Sequence, residues 1–380
     1  MKSMFVGIYP YSAETEPFLR HTCLLNPNYK ICALFAPSSW YSVGKKITSL
    51  DNDIVWMVMD LAELKRDGHC IDTLFIPNFN VTEEIEQFLV DEIEATIPYL
   101  KRIICAAQLT KQNVERLQTV CSKIESECIF ENYNVLKKPR DYGIAPPTKQ
   151  NPSLLTIDTP IVVIAGLWEE TDKFEISLAL RKKFLKNDFR VTQVGARNCC
   201  ELFDFHSFPS FMFNPSIDAV DKVFYFNRWI RSLAATENPD VIILTIPGAI
   251  QDLNEQFTKG HGVLPYITLQ AILVDFLIMC TPYGIDSVDA LCELSTMCEY
   301  RFGANVDCFH MSNLSFDMFT SEERDKVMIN HVYRESVSKH IEEFLKNSSL
   351  PIINAWDVQS IDMLFDLIVD KLSGEDFQIL

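Results

Sequence analysis

Lys173 opens a helical pattern, seven residues beyond Gly166, and Gly166 itself ends an apolar run (161–165) with the character of a strand. Strand, glycine turn, lysine and helix form the outline of a phosphate-binding loop. In such a loop backbone N–H groups converge on the anion, the lysine neutralises the terminal phosphates and a Ser or Thr hydroxyl holds magnesium. Gly166 and Lys173 fill two of those roles, but the rest of the chemistry departs from them. The glycine that normally precedes the lysine is Asp172, and the magnesium hydroxyl is replaced by Phe174. Glu169, Glu170, Asp172 and Glu175 set four carboxylates around a pocket that should hold an anion. Each close like-charge contact costs on the order of 1 to 4 kcal/mol, depending on the local dielectric. The acid that usually ends a neighbouring strand and orders the metal is missing too. The candidate strand 241–246 runs into Pro247-Gly248-Ala249, and the nearest acid, Asp252, lies beyond the turn.

Two readings fit these residues. In one, Asp172 and Glu175 form a capping box, the acids suit the positive end of the helix dipole, and Lys173 is simply solvated. In the other, ATP binds through Gly166, Lys173 and the adjacent backbone. Either way, the ligand position is the mouth formed by Gly166, Asp172, Lys173, Arg197 and Gly248.

Other constellations are sparser. Gly260-His261-Gly262, preceded by Lys259, is a polar loop in which His261 is the histidine suited to general acid or base work, with no partner evident in the sequence. Cys308 and His310 share one face of a strand, which is too few ligands for a metal, so no metal site is expected. The vicinal pair Cys199-Cys200 follows a strand end where open α/β sheets place ligands; it is either a redox site or buried packing. Phe203, Phe205, Phe208, Phe211 and Phe213 form either a peptide groove or a core-facing strand.

A formal charge of -18 argues against general affinity for nucleic acid or anionic membrane and favours a basic partner. The twelve cysteines are scattered without a C-x-x-C, which predicts a reducing, cytoplasmic setting. The apolar stretch 264–280 is broken by Pro265, Thr268, Gln270 and Asp275, so it reads as a buried helix running into a strand rather than as a membrane span.

These residues need a scaffold, and 380 residues suggest about two domains. Near-continuous apolar strands are expected at 4–9, 31–36, 54–59, 72–78 and 102–107, with helices at 14–25, 83–96 (capped by Thr82) and 110–124. Four prolines in 137–152 mark a linker. Strands are then expected at 160–165, 189–194, 240–246, 276–281, 304–309, 327–331 and 351–354. The helices between them should cover 172–186, 217–235, 264–274, 286–299, 334–346 and 357–372. This pattern predicts two tandem three-layer α/β domains with mostly parallel sheets: 1–136, a linker over 137–156, and 157–380.

Gly166, Lys173, Leu178-Ala179-Leu180-Arg181 and Val191-Thr192-Gln193-Val194-Gly195 resemble a family of uncharacterised bacterial proteins in which a Rossmann-like domain precedes a P-loop domain. With Ile246-Pro247-Gly248-Ala249-Ile250 the whole plan is similar to the clostridial peptide maturation system proteins, found beside bacteriocin-type precursors. That resemblance implies a Rossmann-like domain followed by a degenerate P-loop NTPase-like domain. It also implies an accessory role in natural-product peptide processing, with a precursor or leader peptide and maturation enzymes as partners and a homo-oligomer as a further option. The alternatives are an ATP-dependent transferase or ligase assisted by His261 or Arg197, and a small-molecule binder using the first domain, where Tyr9-Pro10-Tyr11-Ser12 ends the first strand.

Overall fold

Runs of Val, Ile, Leu and Phe with no polar alternation can form strands only where both faces are covered, and in this chain they build two separate sheets. The computed structural model describes residues 3–48, 54–65, 71–79, 82–123, 128–146, 153–258, 260–285, 287–346 and 348–374. The chain divides into two compact units, Met1–Val135 with Asn198–Asp204, and Leu136–Arg197 with Phe205–Leu380.

The first unit contains β1 (Met4–Ile8), β2 (Tyr29–Ala36), β3 (Lys46–Thr48), β4 (Val55–Asp60), β5 (Thr73–Ile76), β6 (Arg102–Cys105) and β7 (Ile129–Asn132), in the order β3-β4-β2-β1-β5-β6-β7. All pairings are parallel except that of the edge strand β3 with β4. Without that edge strand the order is the doubly wound 3-2-1-4-5-6 of a Rossmann sheet. Helices α1 (Glu16–Arg20), α2 (Glu83–Glu94) and α3 (Lys111–Lys123) accompany it. Along α2 the buried positions Glu86, Leu89, Val90 and Ile93 follow helical spacing, and the three apolar ones pack over Leu74, Ile76 and Ile103. Thr82 occupies the N-cap of α2, but its side chain makes no capping bond. The buried Glu86 faces α3 instead: its Oε1 accepts from the Thr110 N–H (2.8 Å) and from Asn113 Nδ2 (2.7 Å). Asn80 and Val81, expected to lead into this helix, lie outside the described residues. The helix expected over 14–25 shrinks to α1 between two 3-10 turns, because His21 leaves helical geometry (φ -118, ψ 37).

The second unit contains β8 (Ile161–Gly166), β9 (Val191–Gly195), β10 (His206–Ser207), β11 (Val241–Thr245), β12 (Phe276–Thr281), β13 (Cys308–Met311), β14 (Leu314–Phe316), β15 (Ile329–His331) and β16 (Ile352–Ile353). Its helices are α4 (Lys173–Lys186), α5 (Ala219–Glu237), α6 (Val263–Leu269), α7 (Val288–Phe302), α8 (Met318–Arg324), α9 (Arg334–Leu345) and α10 (Val358–Ser373). The main sheet is parallel in the order β10-β9-β11-β8-β12-β13-β16, and β14 and β15 form a separate antiparallel hairpin. Alternate residues of β8 serve opposite faces. Ile161, Val163 and Ala165 join a core with Phe226 and Ile230 of α5, Ile267 of α6, Leu291 of α7 and Val337 of α9. Val162 and Ile164 join Ile176, Leu180 and Phe184 of α4 and Ile361, Leu364 and Ile368 of α10. These are the three layers, and each fully buried Leu, Ile or Phe among them contributes about 1.5–3 kcal/mol. The stretch 264–280 divides into α6 and β12, as its broken hydropathy predicts.

Two features lie beyond the periodicity argument. Ile144, inside the expected linker, is buried in the core of the second unit, and residues 198–204 belong to the first unit although the chain on either side belongs to the second. Among the described residues no helix is long and apolar enough to cross a membrane.

Candidate functional site

β8 is the central strand of its sheet, flanked by β11 and β12, so the loop leaving its C-terminal end sits in the crevice where open α/β sheets hold ligands. The loop closes on its own lysine. Lys173 Nζ donates to the carbonyl oxygens of Trp168 (3.1 Å), Glu169 (2.6 Å) and Gly248 (3.0 Å). The side chain is 6% exposed, so the expectation of a solvated lysine is overturned. Burial pulls its pKa below the ordinary lysine range, and the neighbouring Cys280, Glu169 and Glu170 push it back up. Thr171, also fully buried, donates from Oγ1 to the Trp168 carbonyl at 3.1 Å. Gly166 is where the fold needs a glycine: a Cβ there would stand 2.5 Å from the Trp168 carbonyl oxygen and 2.6 Å from Lys173 Nζ. The expected lysine, its glycine and Gly248 therefore do converge, and what fills the space between them is loop backbone.

The expected capping box is not formed. Asp172 is the N-cap of α4, but it adopts a left-handed conformation (φ 56) and makes no side-chain capping bond. Its Oδ2 instead accepts from the backbone N–H of Asn313, at 2.9 Å. Asn313 is in turn held by Asn354, whose Nδ2 donates to Asn313 Oδ1 at 2.8 Å. The carboxylate thus ties the loop to the end of β13, a tertiary demand that local sequence spacing cannot reveal. Glu175, the other half of the expected box, is 3% exposed. At the hydroxyl position of a phosphate loop, Phe174 is buried, and the Arg197 guanidinium lies 4.4 Å from its ring centroid. β11 ends at Thr245 without an acid, and Thr245 Oγ1 is buried with no hydrogen bond among the described residues.

His310 on β13 pairs in register with Cys280 on β12. Its Nδ1 reaches the Ile353 carbonyl at 3.4 Å, and Nε2 is buried without a partner among the described residues. Burial pushes its pKa down from 6.5 to about 4, against the pull of the Ile353 carbonyl and of Glu175. The unfolded chain therefore takes up a proton that the folded state refuses. Stability should be full above about pH 6.5 and fall until about pH 4, by roughly 3 kcal/mol from this group. Urea unfolding at a series of pH values should show that slope, and His310→Gln should flatten it.

The mouth of the crevice is lined by aromatic and acidic side chains. Trp168 meets Phe316 of β14 edge to face, with centroids 5.0 Å apart. Together with Glu169, Glu170, Gln251, Leu253 and Phe257 they border a small depression. Asp252 sits between two of these lining residues, and its Oδ2 lies 2.6 Å from His261 Nδ1. Gly260, His261 and Gly262 all have positive φ (72, 53 and 66). For a non-glycine such as His261 this costs about 1–2 kcal/mol, and it persists only where the surroundings enforce it. Arg301 enforces it: NH1 donates to the Ile250 carbonyl (3.1 Å) and NH2 to that of His261 (3.0 Å). Sequence reasoning chose His261 but missed both Asp252 as its partner and Arg301 as its clamp. The glycines on either side of a histidine were the signal for its unusual backbone. Lys259 lies outside the described residues.

No family model matches the chain, and no curated protein does. Among solved structures it is similar to a DUF1611 family protein from Anabaena variabilis, with a TM-score of 0.63 over 97% of this chain and 100% of that one, at 11% identity. The two proteins share a fold. A GTPase from Pyrococcus abyssi in apo form aligns with 56% of this chain and 97% of its own at 12% identity, and its TM-score of 0.32 carries no argument.

The remaining candidates fall in cores. Cys199 and Cys200 are buried, as are Phe205, Phe208 and Phe211, while Phe213 is 48% exposed. Phe203 packs on Phe18 within the first unit, with centroids 5.1 Å apart, so the phenylalanine series does not form one groove. Cys308 joins the α4–α10 core. In the first unit, the Tyr9 hydroxyl donates to Glu92 at the end of β1, and burial raises its pKa well above the usual tyrosine range.

Proposed function

We propose that this protein is a cytosolic accessory component of ribosomal natural-product peptide maturation, whose second unit binds a ligand at the mouth of a P-loop-like crevice without hydrolysing nucleotide. One observation carries the second half of that reading: the Lys173 ammonium is spent on the carbonyls of Trp168, Glu169 and Gly248, where a phosphate loop would hold it ready for an anion. Phe174, the missing strand-end acid and the carboxylates at the mouth point the same way. The partner that suits this mouth is a precursor or leader peptide with basic and apolar residues. The formal charge of -18 and the aromatic and acidic lining of the depression support it, and the resemblance to peptide maturation proteins supplies the context. Maturation enzymes and a second copy of the chain are further partners on this reading.

A second reading, an ATP-dependent transferase or ligase, draws on the convergence of Gly166, Lys173 and Gly248 at the start of α4. Thermal unfolding separates the two, because a ligand that binds only the folded state raises stability by about 2.7 kcal/mol at a hundredfold excess over its Kd. ATP with magnesium is expected to leave the melting temperature unchanged, and a leader peptide to raise it by several degrees. A rise with ATP and magnesium that Lys173→Ala abolishes would establish the second reading in place of the first.

A further inference from the structure

We propose that Asp252, which lies between the lining residues Gln251 and Leu253 of the second unit's depression, forms a general-base pair with His261, acting on an O–H nucleophile that attacks an acyl carbon of a neutral or cationic ligand. This goes beyond the binding role proposed above and does not rest on it. Three observations carry it. The Asp252 carboxylate holds His261 Nδ1 at 2.6 Å, which sets the Nδ1–H tautomer and leaves Nε2, which has no hydrogen bond among the described residues, as the basic nitrogen. The ring is accessible, with 66% of the His261 side chain exposed, whereas Asp252 is 30% exposed. The backbone presenting the ring is strained at His261 (φ 53), between two glycines, and is pinned by the Arg301 fork on the Ile250 and His261 carbonyls. Strain enforced by a dedicated clamp is characteristic of sites that must place one side chain.

The chemistry follows from the neighbours. An ammonium holds its proton too firmly for a neutral imidazole to remove it readily, so the nucleophile is water. The described lining of the depression beside Asp252 includes Glu169 and Glu170 and no Lys, Arg or His, which suits a neutral or cationic acyl compound better than a phosphoryl one. In the step, the oxygen lone pair forms a bond to the acyl carbon while Nε2 takes the O–H proton. The imidazolium so formed keeps its Nδ1–H on Asp252, then returns the proton to the departing group as its bond to the acyl carbon breaks. Water is the co-reactant, and an acid and an alcohol or thiol are the products. His261 is the group in contact with the nucleophile, and Asp252 is a positioning residue.

The test uses the full chain and p-nitrophenyl acetate as the acyl probe. The comparison is between the parent, His261→Asn, Asp252→Asn and, as a control at another exposed His–carboxylate pair, His206→Gln. Asparagine tolerates the left-handed backbone, so His261→Asn should fold; circular dichroism and melting temperature verify it. The expected result is hydrolysis faster than with free imidazole at equal concentration, lowered by at least about tenfold in His261→Asn and unchanged in His206→Gln. Asp252→Asn should lower the rate together with a change in the ¹⁵N signature of the His261 ring from the Nδ1–H tautomer; a changed signature with the parent's rate would leave Asp252 a structural partner only and overturn the pair. A folded His261→Asn with the parent's rate, or a parent no faster than free imidazole, overturns the proposal. Neither nucleotide nor peptide enters this assay, so its failure is distinguishable from failure of the binding role.

Discussion

Gly262→Ala is expected to lower the unfolding free energy by about 4 kcal/mol, at the upper end of single-residue effects. A Cβ on Gly262 would stand 2.1 Å from the Ile250 carbonyl oxygen and 2.8 Å from its carbon, and both are backbone atoms that cannot rotate away. The same carbonyl accepts from Arg301, so moving it breaks the fork that holds His261. Left-handed strain adds about 1–2 kcal/mol. Gly260→Ala is the comparison: its φ is 72, but nothing lies within 4 Å of the added atom. It should show the strain alone. Urea unfolding of both variants measures the difference, and equal losses would mean that the Ile250 contact is not what fixes the loop.

Lys173→Met should cost about 3 kcal/mol, the upper end of what leaving buried acceptors without their donor costs. Methionine fills similar space but leaves the Trp168, Glu169 and Gly248 carbonyls without the ammonium that gathers them. A solvated lysine would give a change within about 0.5 kcal/mol, so thermal or urea unfolding distinguishes the two arrangements sharply. The same variant should loosen Trp168 from Phe316, visible as a shift in tryptophan fluorescence, because the Trp168 carbonyl is one of the three acceptors.

The amino-acid sequence by itself determined the layers. Strands that are nearly continuously apolar have to be covered on both faces, and β8, β11 and β12 are buried along their whole length. Helices such as α10 place Ile361, Leu364, Phe365 and Ile368 on one stripe, a local property that survives any tertiary context. The position of the candidate site was legible for the same reason, since the end of an apolar strand followed by a glycine and a helix start is written in consecutive residues. The short edge strands β3, β7 and β10 and the β14 half of the hairpin were not legible, because two to four residues carry little periodicity; β15 falls within the strand expected at 327–331, but its antiparallel pairing with β14 depends on tertiary placement.

Only the tertiary structure decided what the site's side chains do. Asp172 and Glu175 have the spacing of a capping box, yet the N–H that Asp172 accepts belongs to Asn313, 141 positions away. Lys173 looks like a surface cation in a run with Glu169 and Glu170, yet its third acceptor is Gly248, 75 positions on. His261 has no partner within three or four residues, and Asp252 reaches it only because the chain between them folds back and Arg301, 40 positions further along, pins the return. Periodicity reports which face of an element is buried. Which polar groups share that buried face depends on strand order and loop closure, and no local spacing encodes those.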